Sequence, residues 1–222
     1  MGKYSMDDLF ENIKKCQRNW NFNKPVKEKH IEEFINVAHN APKKNMISHF
    51  SLIALSDRDA IKDFASSSLP EAMQKNKVDD SVIQPQMFAP FVMGWVEDWD
   101  IIEAYKNNAK YPMNLQMSAI HIGMSATLVA LKAQQYGYKT GFCACFTNSN
   151  KILEKYDVRG EVKLFLGIGK PLHTALYYRH LGPKIIDGEL HTTQVVHPRD
   201  EIKSSEERNN YFFQLPPKTL RV

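Results

Sequence analysis

The chain has 222 residues, and its 29 lysines and arginines outnumber 25 aspartates and glutamates to give a formal charge of +4. So small a surplus is not by itself the footprint of a nucleic-acid binder. With 43% hydrophobic and 24% charged residues, the chain can bury one sizeable core or two modest ones, which excludes the disordered and collagen-like classes.

The opening residues, MGKYSMDDLFENIKK, place acids where a secretory leader has basic and then apolar residues. No stretch reaches the uncharged run of about 20 residues that spans a membrane, so a soluble, cytoplasmic protein is expected. Leu9, Phe10 and Ile13 fall at helical spacing and predict a helix over residues 7–19. Pro25 suits the first turn of a second helix, in which Ile31, Phe34, Ile35 and Ala38 make one apolar stripe while Lys27, Glu28, Glu32 and Glu33 lie elsewhere. That helix should end near Pro42. Residues 50–55 read as a short buried strand, and Ser56 followed by Asp59 suggests a capping box opening a helix over 57–65. A strand followed by a helix implies helices layered on a sheet.

Residues 69–86 are polar and irregular, a surface excursion, before 89–96 resume a strand-like apolar run. Residues 113–136, MNLQMSAIHIGMSATLVALKAQQY, are apolar nearly all round and predict a buried helix. Ser118, Ala119, Gly123, Ser125 and Ala126 thin its surface enough for another backbone or a flat ligand to approach. Gly137 ends it, and a strand over 140–146, a short helix over 147–157 and a strand over 162–168 follow. The remainder has weak periodicity. Tyr211, Phe212 and Phe213 in an arm over 179–222 would be covered if that arm lay on another subunit. Neither an internal repeat nor a Gly/Ser linker divides the chain, so a single domain over 1–222 is expected.

A phosphate-cradling P-loop, a GxGxxG turn, a GxSxG elbow and a HExxH helix are all missing from the sequence, so the most readable chemistries have no support. Three cysteines, Cys16, Cys143 and Cys145, are an odd number in a chain long enough to fold without staples, which argues against a disulfide framework. Cys143 and Cys145 would face one side of a strand. No second cysteine pair or close histidine completes a zinc set, however, so packing is the simpler role and no metal is expected. His121 on the buried helix fits a hydrogen-bonded core histidine better than a proton donor. Lys43 and Lys44 are either a solvated pair or an anion grip, and position alone does not choose.

Four stretches in register resemble the FMN-dependent nitroreductase family, whose pattern is an early RSxRxF, a helix, APSxxNxQPW with a strand, and later a long buried helix and a GxP turn. CQRNWNFNKPV (16–26) takes the first place, APKKNMISHFSLIAL (41–55) the second, SAIHIGMSATLVALKAQQYGYKTGFCACF (118–146) the third and VKLFLGIGKP (162–171) the fourth. The resemblance implies an α+β three-layer sandwich, with a central mostly antiparallel sheet flanked by helices, assembled as an intertwined homodimer. It implies FMN as cofactor, hydride taken from NAD(P)H, and electrons passed in a second step to a nitroaromatic or quinone-like acceptor. No catalytic acid or nucleophile from the protein is then required. The positions it marks for the cofactor are Gln17, Arg18, Asn19 and Trp20, then Pro42, Lys43, Lys44 and Asn45, then Cys143, and finally Arg179, with Lys184 as the alternative to Arg179.

Departures from the pattern accompany it. Gln17 and Trp20 stand where the family has its two early arginines, Arg18 stands at the serine, and Lys43 replaces the serine of APS. Ile47, Ser48 and His49 stand in place of Gln-Pro-Trp, so the resemblance carries little about substrate. The competing expectation is a chain with this fold that has lost flavin chemistry and acts as an interaction module. A nucleic-acid role is disfavoured, because aromatics do not interleave with basic runs.

Overall fold

Two segments of the sequence, FVMGWVED and GEVKLFLGIG, carry apolar side chains at most positions, the signature of strands covered on both faces. They become the two middle strands of an antiparallel sheet, β2 (Phe91–Asp98) and β4 (Gly160–Gly169), flanked by β1 (Phe50–Leu55) and β3 (Lys139–Cys143) in the order β1-β2-β4-β3. The computed structural model describes residues 5–13, 16–17, 20–43, 47–48, 50–67, 85–107, 115–144, 153–171, 184–186 and 189–191.

Strand alternation sorts the side chains into two cores. Phe91, Met93 and Trp95 of β2 point to one face with Leu166 and Ile168 of β4, where helices α2 (Glu28–His39) and α5 (Leu115–Gln135) cover them. Val92 and Val96 point to the other face with Val162 and Phe165, beneath helix α3 (Arg58–Ser67) and a 3-10 turn over Pro85–Phe88. At about 1.5–3 kcal/mol for each large side chain fully buried, these two layers supply most of the fold's stabilisation. A register shift between Trp95 and Val96 lets both faces stay filled although the strands twist. The expected α+β layering is therefore present.

Local chemistry fixes the element ends. Asp57, not Ser56, caps α3: its Oδ1 accepts from the amides of Asp59 at 3.1 Å and Ala60 at 2.8 Å. Asp98 does the same for α4 (Trp99–Lys106), taking the amides of Asp100 and Ile101. The buried Trp95 indole donates to Ser125 Oγ at 2.9 Å, and that hydroxyl donates to Ala38 O at 3.0 Å, so one serine of α5 joins sheet and α2. Gly137, at φ 70°, turns the chain from α5 into β3. The Lys170 ammonium donates to the freed carbonyls of Gly137 at 2.5 Å and Tyr136 at 3.2 Å.

Three sequence expectations change. The first helix is α1 (Met6–Ile13) rather than 7–19, because residues 16 and 17 leave the helix and Gln17 N donates to Thr140 O on β3 at 2.9 Å. The excursion over 69–86 ends on the buried turn at Pro85–Phe88, where Gln86 is almost wholly covered, while 68–84 lie outside the described residues. In the 147–157 segment only 153–157 are described, with Leu153 and Glu154 helical, as expected, before a turn over 155–157 with Asp157 at φ 53°. The expected arm contains a hairpin of β5 (Lys184–Ile186) and β6 (Glu189–His191), and the rest of 179–222 lies outside the described residues.

Candidate functional site

The first marked stretch crosses the β3 side of the sheet where Gly141 leaves it room, and the 3-10 turn rests on the facing Gly167. Gly141 and Gly167 are cross-strand partners, and a Cβ on either would strike a backbone carbonyl, that of Gln17 or that of Gln86. The main chain of 16–17 and the 3-10 turn thus lie directly on bare backbone. Gln86 Nε2 donates to Cys16 Sγ at 3.5 Å, and Cys16 Sγ lies 3.6 Å from Phe142 O. Further on, Trp20 bridges Pro171, its ring lies 3.1 Å from where a Gly169 Cβ would stand, and Asn21 N donates to Lys170 O at 2.9 Å. The segment is held before and after Arg18 and Asn19, which themselves lie outside the described residues.

Gln17 and Trp20 are buried, at 0% and 5% exposure, so what they present to a ligand comes through shape and backbone. Cys143 is buried on β3 opposite Phe165, in the same apolar layer as Trp20. Cys16 and Cys143 thus lie toward one end of β3, and Trp20 lies toward the other, beside the end of β4. Pro42 and Lys43 lie beyond the C-terminal end of α2, the first exposed and the second half-buried. Lys44, Asn45, Cys145 and Arg179 lie outside the described residues.

Along α5 the two marked groups separate. Lys43 acts electrostatically on His121, a buried histidine whose pKa falls below 6.5 through burial first and the Lys43 charge second. His121 is accordingly neutral at pH 7, as a core histidine should be. The Gln17 group meets α5 at Gln134, whose Nε2 donates to Thr140 Oγ1 at 3.4 Å. Gln134 is thirteen residues beyond His121, or about 20 Å along the helix axis. Within the chain the two groups do not adjoin.

The side of α5 away from the sheet is apolar and open. Ile120, Met124 and Leu128 recur every fourth residue at 47%, 40% and 36% exposure, and Gly123 between them has nothing within 4 Å of a built Cβ. The expectation of a helix apolar all round holds, but the subunit buries only part of it.

Sequence reasoning did not single out a corner beside Lys170. His30 stacks on Tyr136 with ring centres 3.9 Å apart, its Nδ1 lies 3.0 Å from the Tyr138 hydroxyl, and the Lys170 ammonium sits 4.7 Å above the Tyr138 ring. Burial, then Lys24 and Lys27, lowers the Lys170 pKa. Tyr136 Oη donates to Glu33, which also pairs with Lys132 at 3.3 Å. Aromatic residues directly after a glycine-ended helix were the available signal. Among the described residues no group of three metal-ligating side chains occurs, and no helix is long and apolar enough to cross a membrane.

The arrangement is an antiparallel sheet between helices, with a long half-open helix and a pinned N-terminal segment. No protein-family model matches the chain, and no curated protein matches it in sequence. Solved structures do match. A nitroreductase family protein from Clostridium novyi NT aligns at 14% identity over 80% of this chain and 90% of its own, with a TM-score of 0.58. An FMN-dependent nitroreductase from Clostridium difficile R20291 aligns at 13% over 73% and 86%, with a TM-score of 0.54. An enone reductase of a gut-bacterial fatty acid saturation metabolism aligns at 14% over 80% and 95%, with a TM-score of 0.57. The chain has the nitroreductase fold.

Proposed function

We propose that this chain is an FMN-dependent oxidoreductase that takes hydride from NAD(P)H and reduces an electron-poor acceptor, nitroaromatic or quinone-like, as a cytoplasmic homodimer. The observation that carries the reading is the anchoring of Gln17 on one side of Arg18 and of Trp20 and Asn21 on the other, by β3 and the end of β4. Similarity to an FMN-dependent nitroreductase and to an enone reductase of the same fold supports redox chemistry.

The donor set fits the cofactor. Arg18 and Arg179 are forks suited to a phosphate, Trp20 and Cys143 close an apolar floor, and Lys43 brings a positive charge beside a neutral histidine. Bound FMN supplies the two-electron chemistry. The protein's part is to hold the phosphate, exclude water from the apolar floor, and place Lys43 or Lys44 where a cation favours an electron-rich ring edge.

The open face of α5 supports the homodimer. Its exposed row of Ile120, Met124 and Leu128 is too apolar for a free surface, and Gly123 lets a partner backbone come close. Pairing through this face would set the Lys43 end of one subunit beside the Gln17 end of the other, completing a site whose halves lie apart within each subunit.

The deciding experiment is the visible spectrum of the purified protein after FMN addition and desalting, followed by NAD(P)H without oxygen. Retained yellow colour that bleaches is the expected result. A chain that cannot retain FMN overturns the reading. That outcome would favour the second reading, an interaction module without flavin, for which the complete burial of Gln17 at an arginine position of the family pattern is the specific support.

A further inference from the structure

Arg58 is the first residue of α3, where a cation opposes the helix dipole. Among the described residues no carboxylate pairs with it, and burial lowers its pKa. Its guanidinium instead lies between two rings, 4.1 Å from the Phe22 centroid and 5.3 Å from that of Phe88, and its Nη1 donates to Phe88 O at 2.9 Å. Phe22 is 50% exposed, so burial holds it only in part. It stands two residues after Trp20 and four after Arg18.

We propose that Arg58 is a positioning residue that clamps Phe22 against Phe88 and so seats residues 20–22, and with them the phosphate end of the flavin site. The proposal rests on the flavin reading above. The end of β4 holds these residues through backbone hydrogen bonds, whereas Arg58 holds them from the opposite layer, through α3. A placement that is unfavourable for α3 itself is offset by a desolvated cation–π contact and a charged hydrogen bond to the 3-10 turn. Arg58 thus ties together three parts of the chain distant in sequence: 20–22, α3 and 85–88.

The test compares wild type with Arg58→Met, Arg58→Lys and Phe22→Leu. Two quantities are read: dissociation constants for FMN and for riboflavin, which lacks the phosphate, and amide exchange of the peptide covering 16–24. Arg58→Met should weaken FMN about tenfold while riboflavin changes by less than about twofold, and should speed exchange of the peptide. Phe22→Leu should act in the same direction, and Arg58→Lys should recover part of the loss because the charge remains without the fork. Equal weakening of both flavins in Arg58→Met, or FMN affinity there unchanged from a wild type that binds it, overturns the proposal and leaves the flavin reading standing. Wild type that binds neither flavin overturns the flavin reading and the phosphate role with it. Exchange rates then decide the clamp alone, and unchanged rates in Arg58→Met and Phe22→Leu overturn that too.

Discussion

Gly123 occupies the middle of a 21-residue helix, a position where glycine is a poor choice. Replacing it by alanine in an exposed helix interior should gain about 0.8–1 kcal/mol from propensity. The built Cβ meets nothing within 4 Å in the single subunit, so no packing cost offsets that gain. Thr127 Oγ1 donates to Gly123 O at 2.8 Å, a contact that a methyl group on the Cα leaves intact. For a lone subunit the gain corresponds to a rise in melting temperature of about 2–4 °C. If two subunits pack through α5, the same methyl group enters the interface and drives the helices apart. Each 1.4 kcal/mol so lost weakens association about tenfold. The expected outcome for Gly123→Ala is therefore a lower melting temperature that depends on protein concentration, together with a weaker dimer by light scattering. A protein that melts higher and keeps its oligomeric state would refute pairing through this face.

Two further predictions concern stability. Ser125→Ala removes the acceptor of the Trp95 indole and the donor to Ala38 O, stranding two buried groups; the cost should be about 1–3 kcal/mol, read as a lower urea midpoint, and a midpoint equal to wild type would show that the bridge is not needed. His30 and His121 are both held below 6.5, by burial first, then by Lys27 for His30 and by Lys43 for His121. The unfolded chain thus binds more protons than the native one between the native values and 6.5. Stability is full above that range and falls as pH drops through it. Urea midpoints measured from about pH 8 down to about pH 5, above the range where carboxylates titrate, should decline, and a double His→Gln variant should flatten the curve; a flat wild-type curve would contradict the assignment.

Much of the architecture is legible in local pattern. β2 and β4 are readable because both faces are covered, so their apolar residues run on without needing a known partner. α5 is equally plain, though whether its open side meets solvent or another molecule is not a property of any one residue. The misread pieces have nonlocal causes. Residues 16–17 leave the helix because Gly141, more than a hundred residues away, makes room for their backbone. Gln86 looks like loop polarity and is buried because its carbonyl settles on Gly167. Asp57 outcompeted Ser56 as cap by being one residue closer to the helix, a boundary shift within ordinary scatter. At the candidate site, the Gln17 group and the Lys43 group are marked by the family resemblance alone, and their separation along α5 is not readable there, since spacing in sequence says nothing about which ends of a helix two loops meet. Arg58 carried a local sign, a cation at a helix start, that only its two phenyl neighbours explain.

Strand order has a consequence for how the chain reaches this structure. β4 sits between β2 and β3, yet it is made after α4, α5 and β3. Until it arrives, β2 can pair only with β1, and β3 has no neighbour in the sheet. A nascent chain cut before Gly160 would carry α5 with its sheet-facing side only partly covered and two unsatisfied strand edges, a sticky state for as long as synthesis takes to supply the missing strand. Closing the sheet through its middle rather than its margin makes assembly depend on one late, long-range pairing. Such topologies fold slowly, and once formed they cannot lose the central strand without losing both cores together.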